Sequence, residues 1–448
     1  MLRSAALAFA VSLVAANGAS GEVVARGVEQ GVLALGPNGA PTVAFVHGSK
    51  LVVASRSAKG KWTRATAATI VPGSTVAAFR VGSAGPVALV EGKDTRSLVL
   101  VRRHSVGWQT IPLAGKLPRA IRLGAPGLAL DGHGRPWVGY TRWDALSLNS
   151  QLLLATIDDR GKITSKPITA DGFPQSLVPP PAAAVFVGGR VHVIESYGYR
   201  DVLTTLEWFP TGRTWLGLGL DAGLGDFPVG QVYAGLSPSG VLHAAWTAEL
   251  TFFGSTPVTL VTRKKLASSK FILDRALTTG LALPSTGPEV AANEWDGPQD
   301  YAQPRNQFLW AGTIVHGDSR IELDGWLAGL AVPPRGGRDV LLGGPDGLRW
   351  FHSPRRLTTK VTLGSVDDGS GAIALSGRVR GVASGKVTIY RERPGESRKA
   401  IATPTLAGGA FSFTDHPTGA PAMYRAVYVD PKTRIPFAAL TRDDADEG

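Results

Sequence analysis

Apolar runs of four to eight residues follow one another along most of the chain, separated by short polar breaks rich in Gly, Pro, Asn and Asp. Segments 32–35, 42–46, 51–56 and 62–66 form a first set of four, joined by turns at Pro37-Asn38-Gly39 and Lys59-Gly60. Apolar–polar alternation at this density of turn residues predicts β-strands. The set then repeats. Leu33-Ala34-Leu35-Gly36-Pro37-Asn38-Gly39, followed by the apolar stretch from Ala40, has its counterpart in Leu128-Ala129-Leu130-Asp131-Gly132-His133-Gly134, followed by Arg135-Pro136-Trp137-Val138. An apolar residue four positions before a turn glycine marks the same frame at Val81 and Gly85, Val185 and Gly189, Leu236 and Gly240, Leu283 and Gly287, and Val332 and Gly336. The seven glycines are 46, 49, 55, 51, 47 and 49 residues apart.

Four strands, A to D, in about forty to fifty residues is the period of a β-propeller blade. The expectation is an all-β chain with a seven-bladed propeller over 22–356. Six blades is the alternative, because segment 288–293 of blade 6 is poor strand sequence. The last unit lacks a strand D. Segment 23–28 is free to supply it and close the ring, which would remove an exposed sheet edge. The period and the turn Gly/Pro followed by an apolar strand resemble secreted bacterial β-propellers with repeats like those of the sialidase superfamily. That resemblance implies the fold. The sialidase Asp-box, Ser-x-Asp-x-Gly-x-Thr-Trp, is absent, so the activity does not follow from it.

After Arg355-Arg356, seven further strand-like segments fall at 361–363, 373–379, 387–391, 400–403, 411–414, 423–429 and 437–440. That is the strand count of an immunoglobulin-like sandwich, expected over 357–442 and followed by an acidic tail at 443–448. The stretch Gly409-Ala410-Phe411-Ser412-Phe413-Thr414, then Tyr424-Arg425-Ala426-Val427-Tyr428, looks like the late strands of bacterial surface immunoglobulin-like modules. Such a resemblance implies a spacer or adhesive unit.

Residues 1–20 read as a secretory signal: Arg3, an apolar stretch from Ala5 to Ala16, then small residues. No later apolar run approaches the ~18 residues of a membrane span. The expected address is therefore secreted or extracytoplasmic, without a transmembrane anchor. The chain has 448 residues and no Cys, which excludes disulfides, thiolate-bound metals and thiol catalysis. Its net charge is +12. Export and the lack of a basic strip interleaved with aromatics argue against nucleic acid. A cell-envelope ligand, a carbohydrate or anionic polymer, fits better, and a monomer is expected.

The distance from each turn glycine to strand D grows from 23 residues in blades 1 and 2 to 29, 26, 31 and 34 in blades 3 to 6. The extra length is expected between strands B and C, on the face that also carries the D–A connections. Taking those loops as 47–50, 91–97, 141–150, 195–202, 247–257, 293–306 and 343–347, they hold 10 of the 25 acids of 22–357 but 6 of its 34 bases. Bases gather instead at Lys59 and Lys61, Arg102 and Arg103, Arg160 and Lys162, 263–265, and Arg355 and Arg356, toward the rim and opposite face. Aromatic faces stack on sugar rings and carboxylates accept hydroxyl hydrogen bonds. The candidate ligand-binding residues are therefore Trp143, Asp144, Glu195, Tyr197, Tyr199, Arg200, Glu249, Glu294, Trp295, Asp296, Asp300 and Tyr301. Trp62, Trp108 and Trp215 recur just after the C–D turn and read as inter-blade packing.

No metal-ligand spacing appears among the eight His, and there is no nucleophile elbow or phosphate loop. No cofactor or metal is implied, and no catalytic residue is assigned. Glu195, Glu249 and Glu294 come from adjacent blades, and two opposed carboxylates are what a glycosidase needs. The favoured reading is an exported, non-catalytic recognition protein with its ligand at the loop face. The alternative is a carbohydrate-active hydrolase or lyase, of glycoside-hydrolase or sialidase-like type, at the same place.

Overall fold

The computed structural model describes residues 21–441, leaving out 29, 106, 170–178, 188, 200–201, 212–213, 225–226, 250–257, 264–266, 274–275, 297–308, 335, 345, 368, 370, 394–397 and 419–421. Over 196–230 and at 187, 248–249, 258–259, 261, 263, 267–271, 295–296 and 309–310 it describes the backbone alone, wherever those residues are described at all. Every regular element among the described residues is a β-strand. The chain divides into two compact units. One is Glu22–Ile321 with Gly325–Leu357; the other is Thr358–Gly448 with Glu322–Asp324.

In the first unit the strands form seven antiparallel blades, six of them running in chain order from the inner to the outer strand and the seventh doing so for its first three strands. Blade 1 begins with Val32–Leu35, blade 2 with Thr75–Gly82, blade 4 with Ala182–Val187, blade 5 with Phe227–Leu236, blade 6 with Ala276–Ala282 and blade 7 with Trp326–Ala331. Blade 3 has a split inner strand, Ile121–Leu123 and Gly127–Leu130, both parts pairing with Pro136–Asp144. Each inner strand touches the next around the circle, and the last, Trp326–Ala331, touches the first. Strand Glu22–Ala25 pairs with Gly347–Ser353 and completes blade 7, so the two ends of the propeller segment meet in one sheet. Blade 6 is present despite its weak sequence: Glu289–Asp296 is a full strand B.

The repeat has a conformational cause. All seven marker glycines, from Gly39 to Gly336, have φ between +76° and +115° in the A–B turn. A side chain there would be strained, and glycine is not. A neighbouring polar side chain fixes several of these turns. The Asp131 carboxylate accepts from the N–H groups of His133 at 2.9 Å and Arg135 at 2.8 Å, and Ser237 Oγ accepts from the Val241 N–H at 3.1 Å.

Apolar packing lies between blades rather than within one centre. Ala34, Leu51 and Val53 of blade 1 pack on Phe79, Val90 and Val101 of blade 2, with Trp108 partly buried beside them. Leu89 and Leu100 of blade 2 pack on Val138 and Ile157 of blade 3. Blades 3 and 4, 4 and 5, and 5 and 6 meet through similar layers. The ring closes with Val43 and Phe45 of blade 1 against Leu341 and Trp350 of blade 7. Trp62 meets Trp350 edge-on, with ring centroids 6.0 Å apart. Strand alternation thus serves two neighbours: each blade offers an apolar face on either side.

The B–C loops are shorter than the sequence suggested. Strands Pro136–Asp144, Arg190–Tyr199 and Glu289–Asp296 run on through residues assigned above to loops, each kept in register by pairing with the following strand. Arg102 is also not a free rim base. It is buried, its Nε donating to Gln109 Oε1 at 2.9 Å and its Nη2 to the carbonyls of Asp158 and Asp159 at 2.8 and 3.0 Å.

The second unit contains seven strands of its own. Val361–Asp367, Ile373–Val379 and Ala410–Asp415 form one antiparallel sheet; Pro436–Leu440, Met423–Val429, Val387–Glu392 and Lys399–Ala402, in that order, form the other. Those are the seven segments expected from the sequence, arranged among the described residues as two antiparallel sheets of three and four strands. Inside this unit Asp324 accepts from Arg398 at 2.6 and 2.9 Å and from Arg425 at 3.2 Å.

Candidate functional site at the mouth of the propeller channel

The seven inner strands enclose a channel, and two cavities lie along it. The first, of about 670 Å³, is lined by residues that open the inner strands, among them Gly31, Ser74, Thr75 and Gly127, and by Gly48 of a B–C turn. It is therefore the mouth on the face of the D–A and B–C connections. The second, of about 1050 Å³, is lined by residues that end the inner strands and by A–B turns, including Leu35, Val81, Leu130, Phe186, Leu283 and Val332. Arg80, Leu128, Ala184 and Ala234 line both, so the cavities adjoin in mid-channel.

The lining of the mouth mixes apolar residues with a few polar ones and is almost uncharged. Gln30, Ser74, Thr75, Gln231 and Thr279 supply amides and hydroxyls, and Trp326 and Tyr233 supply aromatic surface. Gln231 Nε2 donates to the Pro126 carbonyl at 3.1 Å, which fixes that side chain. Thr279 Oγ1 is buried and has no hydrogen-bond partner among the described residues. Arg80 is the one charged residue among the described lining of the mouth.

Arg80 sits where its strand turns from packing to lumen. Phe79 is wholly buried between blades, and Arg80, next along, is exposed into the channel. Its Nη1 donates to the Phe79 carbonyl at 3.0 Å. Enclosure by the ring lowers the guanidinium pKa, and Tyr233, in blade 5, is the group that opposes this shift. Burial in turn pushes the Tyr233 hydroxyl up to about 12, against a lowering effect of Arg80. At neutral pH the pair is a cation beside a protonated hydroxyl, both donors.

The residues chosen from the sequence are placed as follows. Trp143 is buried, and strand Pro136–Asp144 pairs it with Arg122 and Ser150. Asp144 organises its own loop: its carboxylate accepts from the Leu146 N–H at 3.0 Å and the Ser147 hydroxyl at 3.1 Å. Glu195 is fully enclosed in blade 4, between Ala182 and Leu206. Glu294 is buried and ion-paired with Arg320. Tyr197, Tyr199, Glu249, Trp295 and Asp296 lie on strands B of blades 4, 5 and 6, placed by backbone register alone. Arg200, Asp300 and Tyr301 lie outside the described residues. Trp143, Asp144, Glu195 and Glu294 line neither channel cavity.

What sequence reasoning missed is Arg80, although the repeat itself carried the signal. Five positions before each turn glycine stand Ala34, Arg80, Ala129, Ala184, Gly235, Ala282 and Ala331. All seven line the second cavity. Six blades keep a small residue where inner strands crowd together; blade 2 alone places a long cation there.

No protein-family model and no curated protein matches the chain. Solved structures with a similar arrangement include an α-L-arabinanase from Penicillium chrysogenum complexed with arabinobiose, at 12% identity over 75% of this chain and 94% of that one, with a TM-score of 0.40. AofleA from Arthrobotrys oligospora matches at 12% identity over 88% of this chain and 91% of that one, with a TM-score of 0.35. A fucose lectin from Kordia zhangzhouensis, in complex with methyl-fucoside, matches at 14% identity over 32% of this chain and 96% of that one, with a TM-score of 0.25. The fold is read from the strand topology above, and these likenesses add no argument about ligand or activity.

Proposed function

We propose that the chain is an exported, non-catalytic recognition protein that takes a polar ligand, a glycan or cell-envelope polymer, at the mouth of its propeller channel. The observation that carries this reading is the mouth cavity itself. Its volume of about 670 Å³ is in the range of small-molecule sites. Its lining of amides, hydroxyls and Trp326 suits a hydroxylated ring. Hydrolysis would ask for two opposed carboxylates at one cavity. Among the described residues no carboxylate lines the mouth, while Glu195 is enclosed in blade 4 and Glu294 is engaged with Arg320. The second unit then serves as a spacer, and residues 1–20 as the export signal.

A glycan array probed with the chain lacking residues 1–20 tests the reading, followed by product analysis of each hit. One class of saccharide bound and recovered intact is the expected result. Cleaved products would replace recognition by hydrolysis, and an array without hits would remove the ligand class. Export of a reporter fused to residues 1–20 checks the address.

A further inference from the structure

The mouth cavity ends on Arg80, and among the described residues no acidic side chain is paired with it. The guanidinium offers five N–H donors, and the hydrogen bond made by this one among the described residues goes to the carbonyl of the residue before it. No acidic side chain among the described residues lines either cavity. The other cations of the channel differ: Arg338 is held by both carboxylate oxygens of Glu289, and Arg356 Nε lies 3.8 Å from the same carboxylate. Arg80 is exposed into the channel rather than packed away from water, so its guanidinium stands open to a counter-charge arriving from the lumen. Six of the seven blades avoid the situation with Ala or Gly at this position. Blade 2 adopts it at the point where both cavities meet.

We propose that the anchor of the ligand is an oxyanion, the carboxylate of an acidic saccharide, seated on the Arg80 guanidinium in mid-channel with the Tyr233 hydroxyl as a second donor. The planar fork of Arg fits a carboxylate through two parallel hydrogen bonds. The sugar ring lies toward the mouth, among Thr75, Gln231 and Thr279, with Trp326 as its aromatic surface. Arg80, together with the excess of Arg338 and Arg356 over the Glu289 they share, also draws anions inward. The inference rests on the reading of the mouth as a saccharide site and adds the charge of the ligand to it.

The test is isothermal titration at constant ionic strength, with sodium glucuronate, glucose and inorganic phosphate as the probes. The proteins are the chain lacking residues 1–20 and its Arg80→Ala, Arg80→Lys and Tyr233→Phe variants. Arg80→Ala installs the residue that five other blades use, and Arg80→Lys keeps the charge while removing the fork. Glucuronate is expected to bind about tenfold or more tighter than glucose; Arg80→Ala is expected to lose about tenfold or more, Arg80→Lys part of that, and Tyr233→Phe about threefold. Equal affinity for glucuronate and glucose, unchanged in Arg80→Ala, overturns the anion seat and leaves the mouth as a neutral-saccharide site. Phosphate binding that depends on Arg80, with neither sugar bound, overturns the saccharide and the parent reading together. Glucuronate binding that survives in Arg80→Ala overturns the assignment to Arg80.

Discussion

Glu22 accepts two hydrogen bonds from the Arg56 guanidinium, at 2.6 and 2.7 Å, and a third from Trp62 Nε1 at 3.0 Å. Glu22 opens the strand that completes blade 7, whereas Arg56 and Trp62 belong to blade 1. The same strand's Val24 carbonyl accepts from Arg64 Nε at 2.8 Å. One short strand thus joins two blades, in-sheet to the last and by side chains to the first. The side chains of Arg56 and Glu22 are 25% and 39% exposed, so Glu22→Ala is expected to lower stability by about 1 kcal/mol only. Deleting residues 22–25 should do far more, because it bares an edge of Gly347–Ser353. Urea midpoints and size-exclusion profiles of both variants check this; an unchanged midpoint in the deletion would contradict the closure.

Between blades 6 and 7 the joint is ionic and buried. Arg338 and Glu289 are 5% and 3% exposed, and the guanidinium binds both carboxylate oxygens. Removing one partner strands the other charge, so Arg338→Met is expected to cost about 3–5 kcal/mol. The double variant Arg338→Met/Glu289→Leu should recover a large part of that loss. Denaturant unfolding of the two variants makes the comparison.

Glu91 gives a pH dependence. It ends strand B of blade 2, its Oε1 is buried with no hydrogen-bond partner among the described residues, and burial pushes its carboxyl from 4.5 up to about 7. The folded state therefore favours the protonated form. The stability this confers is full below pH 4.5 and is lost as pH rises through about 7. Glu91→Gln should remove this dependence and stabilise the protein at pH 8 by roughly 1–3 kcal/mol relative to the parent. Melting curves at pH 5 and pH 8 decide it; parallel pH profiles for parent and variant would contradict it.

The turn glycines are testable one by one. Gly240 has φ +76°, and an added Cβ would meet nothing within 4 Å. Gly240→Ala should therefore cost about 1–2 kcal/mol through backbone strain alone, and Gly240→Asn less, since Asn tolerates this region. Equal stability of parent and Gly240→Ala, measured by urea unfolding, would remove the conformational reason for the repeat.

Much of the fold was legible because its constraints are local. A positive φ in each A–B turn demands glycine, so seven glycines at near-constant spacing mark seven blades. The open strand near Glu22 and the missing strand D of blade 7 fitted one another for the same reason. The site was less legible. Acids and aromatics near strand ends, such as Glu195 and Trp143, look like loop groups in one dimension. Whether they face water depends on how far strand B continues, and here the ladder to strand C carries it through both. Arg80 escaped notice because a lone Arg in an apolar strand looks like noise until the blades are superposed on their turn glycines. Its meaning comes from the ring, which places a single strand position in the channel where the two cavities adjoin.

The most direct test narrows the channel mouth and measures binding. Thr75 is exposed at the start of its strand and lines the mouth, and a large aromatic is well tolerated at such a strand position. Thr75→Trp should then fill part of the cavity while leaving the melting temperature unchanged. The exposed Val71, which does not line the mouth, supplies a control as Val71→Ala. The Kd of the tightest array hit, measured by titration calorimetry, is expected to rise about tenfold or more in Thr75→Trp and to stay constant in Val71→Ala. An unchanged Kd in a folded Thr75→Trp variant would place the ligand somewhere other than the channel mouth.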